Sequence, residues 1–402
     1  MRASLALAKE SAKTKDPRVN KPVSPDISSG DRLGAILSHF LRVGFSRCEP
    51  PILQPASVFL DRSGDDFRGR LYLTSDASGA DVCLRPEYTI PVCLAYLASE
   101  RAGEPASYAY GGTVFRFPAD SGDDKGSERL QAGLESFGRE DREAAEAEIL
   151  AAAIEAAHSA GAGAGALEVR TGDAGLVSIF LDRLDLPPAW RRRLETGHAR
   201  GQDLATIFAP PENSREQAGV LAALEKVDAK EARALVEDLL SIAGISAVGG
   251  RSAGEIAERF LEQAALASGA GVSAEKRALL DAFFSIEGQI DEASAALRRL
   301  TEDAGLDLRE ALDSFDTRSS FLAARGLDLE QVRFSASFAR RLDYYSGFVF
   351  EARAAGGRAG QPLIGGGRYD RLLKTLGARA DIAAVGAAIW VDRLASASEG
   401  RA

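Results

Sequence analysis

Cysteine is scarce in this chain: Cys48, Cys83 and Cys93 are all there are, and no two stand in C-x-x-C spacing. Histidine is as sparse, at His39, His158 and His198. Without clustered thiols or imidazoles a structural zinc site has no ligand set, and neither metal nor cofactor is expected. An odd, low cysteine count fits a reducing compartment. Long apolar runs are missing too. The opening MRASLALAKE has too short an apolar stretch for a signal segment,. No window approaches the roughly 20 apolar residues of a membrane helix, so the chain is expected in the cytoplasm and off the membrane. Positive charge is also in short supply: 49 Lys and Arg stand against 59 Asp and Glu, a formal net charge of −10. Proteins that grip nucleic-acid backbones carry a basic face, because counterion release drives that binding. The balance argues against a nucleic-acid partner, and the arginines at 191–193 read as a solvated helix face,.

What is present is 402 residues, enough for roughly two domains,. Residues 1–28 are rich in Lys, Ser and Pro and read as a mobile tail,. Asp31 is placed to cap a helix carrying Leu33, Ile36, Leu37, Phe40 and Leu41, with Gly44 as its stop,. Short strands are predicted at 71–74 and 82–84, a helix at 91–99, strands at 108–117 and 130–137 around a polar loop at 120–127, and an amphipathic helix at 140–157,. A strand at 167–170 follows. From about 189 to 304 the pattern is helical, with one apolar stripe at Leu221, Leu224 and Val227 and another at Leu279, Leu280, Phe283 and Phe284,. Strand character returns at 332–338 and 347–353, then come a glycine triplet, a helix at 368–376 and a buried strand at 382–389. Strands on both sides of a helical block, without βαβ alternation, predict an α+β fold on a mostly antiparallel sheet.

Four segments could carry chemistry. On a strand, Gln131, Gly133 and Glu135 share a face, an amide and a carboxylate with room between them,. They could floor a ligand site or form an exposed polar face. In the segment RPEYT at 85–89, Pro86 suits a first helical turn and Glu87 its positive end; helix capping and ligand contact both account for Glu87,. Arg116 lies between Phe115 and Phe117 and needs a carboxylate or phosphate partner if buried, either a ligand or an internal ion pair,. The segment ARRLDYYSGFVFE at 339–351 offers Arg340 for a carboxylate, Asp343, and the phenols of Tyr344 and Tyr345,. Beyond it, GGGRYD at 365–370 marks a close backbone approach or a tight turn before a helix,.

Taken in order, GFSRCEPPI with Pro51, LRPEYT, YGGTVFRF, QAGLE, RRLDYYSGFVFE, GGGRYD and AVGAAIWVDRL resemble the catalytic core of class II histidyl-tRNA synthetases over about residues 30–394. The resemblance implies an antiparallel sheet of six or seven strands flanked by helices, a dimer built through the Pro51 region, and a histidine pocket. That pocket would use Glu87, Thr89, Arg116, Gln131, Glu135, Arg340, Tyr344 and Tyr345. The departures fall elsewhere. Pro118 stands where the synthetases place the glutamate that contacts adenine, and Trp390 replaces a glycine that lets adenine lie on the strand. An indole needs a void of its own size, so Trp390 should fill the nucleotide site. Ser127 stands where a loop arginine is expected, although nearby Arg129 leaves that alignment open. Arg393 is kept, preceded by Asp392 in place of glutamate, and Arg341 replaces a glycine. Eight residues follow Leu394, too few for an anticodon-binding domain.

The pattern is similar to a paralogous family, the regulatory subunits of ATP phosphoribosyltransferase. That resemblance implies a chain with no catalytic residues of its own and no tRNA partner. It implies assembly as a homodimer within a hetero-octamer with a short-form catalytic subunit, and feedback inhibition by histidine. The expected layout is a core at 29–170 and 326–395, a mainly helical insertion at 171–325, and a short tail at 396–402.

Overall fold

The computed structural model describes residues 28–60, 69–118, 127–163, 165–210, 247–248, 251–252, 271–340, 342, 344–356 and 361–394, with residues 234 and 266. The stripe of Leu221, Leu224 and Val227, the loop at 120–126, Arg341, Asp343 and the tails at 1–27 and 396–402 lie outside them.

Ser28, not Asp31, opens the first helix, Ser29–Arg42: its hydroxyl accepts from the Asp31 N–H at 3.1 Å. Serine has the short oxygen that reaches an orphan N–H of the first turn, whereas Asp31 is already inside it. Gly44, at φ 101°, ends the helix as expected,. The strands are β1 (Ser46–Arg47), β2 (Leu53–Pro55), β3 (Leu73–Ser75), β4 (Asp81–Leu84), β5 (Ala106–Phe115), β6 (Glu128–Phe137) and β7 (Leu167–Asp173). The short pair β8 (Ala247–Val248) and β9 (Arg251–Ser252) follows, then β10 (Glu287–Gln289), β11 (Val332–Ser335), β12 (Phe348–Ala354), β13 (Ile364–Arg368) and β14 (Ala384–Trp390).

Nine strands form the main sheet, in the order β1-β5-β6-β14-β13-β12-β7-β11-β10. This exceeds the six or seven expected. Its centre is antiparallel; β1 runs parallel to β5 and β11 parallel to β7. One extra strand, β10, comes from the block that reads as helical, and β7 runs on to Asp173 past the expected boundary at 170. Apart from the short pair β8 and β9, that block is otherwise mainly helical where described, and Leu280 and Phe283 of the second stripe are buried. A separate three-stranded sheet, β2-β4-β3, sits beside the main one.

Alternation sorts β6 cleanly. Ala132 and Leu134 join the core under the first helix and the alanine-rich helix Arg142–Ser159. Gln131, Gly133 and Glu135 point to the other face, toward Tyr110, Tyr369 and the helix Thr89–Leu97,. The glycine triplet is not a turn. It is the middle of β13, and a Cβ on Gly366 would meet the Gly386 carbonyl of the neighbouring strand. Glycine is needed because other groups lie flat on this strand.

Beyond the triplet, Arg368 is buried and ion-paired to Glu146 on the Arg142–Ser159 helix. Glu146 also receives Arg318 from the helix Arg309–Ala324, at 2.8 Å, and Arg318 reaches Asp173 at 2.8 Å. Asp370 pairs with Arg368 at 3.0 Å and accepts from the Ala384 N–H at 2.8 Å. Two helices are thereby locked to the strand end that carries Tyr369.

Candidate functional site

Glu135 is the centre of the site. It lies on β6, 0% exposed. Its Oε1 accepts from the Tyr110 hydroxyl at 3.2 Å and its Oε2 from the Tyr369 hydroxyl; Thr89 supplies a third hydroxyl. The register pairs Glu135 with Gly386 of β14, and a Cβ there would overlap Oε2. One residue pair along, Gly133 leaves the space through which the Tyr110 phenol crosses. Burial pushes the Glu135 carboxyl up to about 8, against the hydroxyls that favour its charge and with Glu87 adding to the rise,. Gln131 shares the face at 2% exposure, and its Oε1 has no hydrogen-bond partner. The exposed-face alternative for Gln131 and Glu135 therefore fails, because both side chains are buried.

Glu87 does cap. Its two oxygens accept from the N–H groups of Thr89, at 2.6 Å, and Ile90, at 2.9 Å,. The helix starts at Thr89, so Pro86 precedes it and leaves its carbonyl free to accept from Arg116 Nε at 2.6 Å. Arg116 stands just past the end of β5 rather than inside a strand. Its internal partners include that carbonyl and the field of Glu87; burial lowers its pKa to about 10, and Arg70 and Arg393 add to the fall. The same Glu87 carboxyl is held above its usual range, by burial first.

Two guanidiniums lie over the Trp390 indole, Arg116 at 5.0 Å and Arg393 at 4.6 Å from the ring centre. It is half-buried, packed against the second core cluster but not enclosed. Arg393 in turn donates to the Pro362 carbonyl at 2.7 Å. Asp392 accepts from the Leu130 N–H at 2.6 Å and so ties the last helical turn to β6. Pro118 follows Phe117, whose ring stacks on Tyr72 at 3.8 Å.

Arg340 closes the opposite side. Its Nη1 donates to the Phe350 carbonyl at 3.1 Å, its guanidinium lies over Gly365, and its buried Nε has no hydrogen-bond partner. Tyr345 stands 5.9 Å from it, in ring contact with Tyr344. Burial raises both phenols, and both feel Arg340, Glu87 and Glu135. Thr89 hydrogen-bonds Glu135, and Glu87, Tyr344 and Tyr345 share its electrostatic surroundings; Arg116 stands by Glu87 and Tyr344, Arg340 by Tyr345, and Gln131 lies two face-positions along β6. Sequence reasoning missed Tyr110, Tyr369 and Gly386. All three stand inside quoted motifs, and the phase of β5 against β6 was the signal that could have found Tyr110.

The histidyl-tRNA synthetase family model matches residues 31–249 and 233–394. The ATP phosphoribosyltransferase regulatory subunit of Mesorhizobium japonicum is 41% identical over 355 residues, covering 87% of this chain and 93% of that protein. That of Allorhizobium ampelinum is 39% identical over 375 residues, covering 92% and 98%. The chain belongs to the ATP phosphoribosyltransferase regulatory subunits. Membership makes it a regulatory subunit rather than a catalytic one, with a place in histidine biosynthesis. Solved structures share its class II synthetase-like fold. Histidyl-tRNA synthetase from Nostoc sp. PCC 7120 matches with a TM-score of 0.60 at 18% identity, covering 94% of this chain and 75% of that one. An ATP phosphoribosyltransferase regulatory subunit/histidyl-tRNA synthetase from Bacillus halodurans matches with a TM-score of 0.58 at 20% identity, covering 96% and 85%. Like other ATP phosphoribosyltransferase regulatory subunits, then, the chain carries a synthetase architecture. Among its described residues no helix is long and apolar enough to cross a membrane.

Proposed function

We propose that this regulatory subunit binds histidine on the floor of Gln131 and Glu135. In our proposal Glu87, Thr89, Arg116, Arg340, Tyr344 and Tyr345 complete the pocket. The observation that carries the proposal is the unpartnered Oε1 of buried Gln131 on the same face of β6 as buried Glu135, two face-positions along. A buried acceptor left unpaired costs about 1–3 kcal/mol, which a ligand N–H recovers. The carboxyls of Glu135 and Glu87 suit the basic groups of the amino acid, and Arg340, with a spare Nε, suits its carboxylate,. In this reading Trp390 and Pro118 take the space and the contact that a nucleotide would need, so ATP is not a ligand of this pocket, and tRNA is not a partner.

The subunit works with a short-form catalytic subunit of ATP phosphoribosyltransferase, as a homodimer within a hetero-octamer. Histidine binds one arrangement of that assembly better than the other and shifts it toward the less active state, which is feedback inhibition. Exposed Ile52, Leu53 and Leu73 on the small sheet give the homodimer an apolar seam around Pro51.

Calorimetry with histidine tests the pocket. The native chain should bind, and Glu135→Ala should weaken binding about tenfold or more through loss of a charge-assisted contact. Equal affinity would move the site elsewhere, toward the subunit interface. ATP–pyrophosphate exchange with histidine should show no turnover; clear turnover would make the chain a histidine-activating enzyme. Failure to co-purify with the short-form catalytic subunit would leave a free-standing histidine sensor.

A further inference from the structure

The surroundings of Glu135 have a consequence for protons. Each of its hydrogen-bond partners, Tyr110, Tyr369 and Thr89, is an uncharged hydroxyl. The helix Thr89–Leu97 brings a thiol toward it, Cys93, whose own pKa burial and the field of Glu135 hold well up; Cys48 is raised by burial and the same field. The loop before that helix brings a like charge, Glu87. From the other side come the phenols of Tyr344 and Tyr345. The cations at the border are engaged elsewhere: Arg340 with the Phe350 carbonyl, Arg116 with the Pro86 carbonyl and the indole. Among the described residues no cation is hydrogen-bonded to Glu135, so a bound cation would be its first charged hydrogen-bond partner there,.

We infer that Glu135 and the imidazole of bound histidine hold a single proton between them, so that the affinity of the pocket for histidine is bell-shaped in pH. The inference rests on the histidine pocket proposed above. With no proton shared, two acceptors face each other in a sealed site. With two, an imidazolium sits against a neutral acid and Glu135 no longer compensates its charge. One proton gives either a neutral hydrogen bond or an ion pair, both without net charge.

The signs follow from proton counting. Free imidazole titrates near 6.5, and burial pushes the Glu135 carboxyl of the empty site up to about 8. Between these values the empty site carries the proton and the ligand does not, so binding exchanges none. Below the imidazole value both carry one and one must leave, so affinity falls as pH drops. Above the Glu135 value neither carries one and one must be taken up, so affinity falls as pH rises. Each limb steepens toward about tenfold per pH unit.

Calorimetry of the full chain with histidine, in buffers of different ionisation enthalpy, reads the proton count. The expected result is no net exchange near neutrality, release approaching one proton on the acid side and uptake approaching one on the alkaline side. Glu135→Gln should still bind, more weakly, and lose the alkaline uptake attributable to this carboxyl. The α-amino group of histidine titrates in the native chain and the variant alike, so their difference isolates Glu135. Should the variant not fold, infrared difference spectra of the native chain near neutral pH serve instead: a protonated-carboxyl band should shift or vanish on adding histidine. A count that is flat across the range, an alkaline limb surviving in Glu135→Gln, or an unchanged carboxyl band overturns the shared proton and leaves the pocket standing. No histidine binding at any pH overturns the pocket, and the shared proton with it.

Discussion

Trp390 illustrates how one side chain can alter a site without being buried as a core residue. Arg116 and Arg393 lie over its ring, and both arginines find backbone carbonyls as well. Stacking on an indole is worth about 0.5–1 kcal/mol per cation at partly exposed sites. Because the ring is half-buried, Trp390→Ala should cost about 2 kcal/mol in urea denaturation, less than the 3–5 kcal/mol typical of a fully buried aromatic. A loss above that range would mean the indole is enclosed; no loss would mean it rests on the surface. Glu135 shows the reverse case. Spacing along β6 sufficed to put it on one face with Gln131, yet nothing local told whether that face was wet. Its dryness depends on Tyr369 and Gly386, more than 200 residues away, and a lone strand does not record what will cover it.

Among elements, β13 is the joint on which the site hangs. Its glycines admit Arg340 and the neighbouring backbone, and its end is pinned through Arg368 to Glu146 and from there to Arg318. All three charged side chains are buried, at 5% side-chain exposure or less. Two cations share one central carboxylate, with Asp173 and Asp370 balancing the rest. Removing the centre leaves two buried guanidiniums with reduced compensation. Glu146→Ala should therefore destabilise the fold by about 3–5 kcal/mol in urea denaturation. A cost under about 1 kcal/mol would show that the outer carboxylates suffice. The GGGRYD motif was legible as a place of close approach; whether it was a turn or a strand was not. Its local composition favours either, and only pairing with β12 and β14 makes the extended form satisfy its backbone groups,.

At the scale of the molecule, the small β2-β4-β3 sheet presents Leu53 and Leu73 at 51% and 56% exposure, an apolar surface a monomer would leave in water,. If this is the homodimer seam, Leu53→Arg should shift sedimentation from dimer to monomer at the same protein concentration; an unchanged dimer would place the seam elsewhere. The ordering of motifs, the α+β class and the face on which Gln131 and Glu135 lie were determined by the sequence itself. They depend on residue spacing and on side-chain alternation, which a chain carries before it folds. The number of strands, the cap at Ser28, the ion-paired support of Arg368 and the sealing of Glu135 were decided by tertiary structure. Each needs a partner distant in sequence or a competition between neighbours. Burial of a charge is a property of what the fold brings to it, and that is where this site acquires its chemistry.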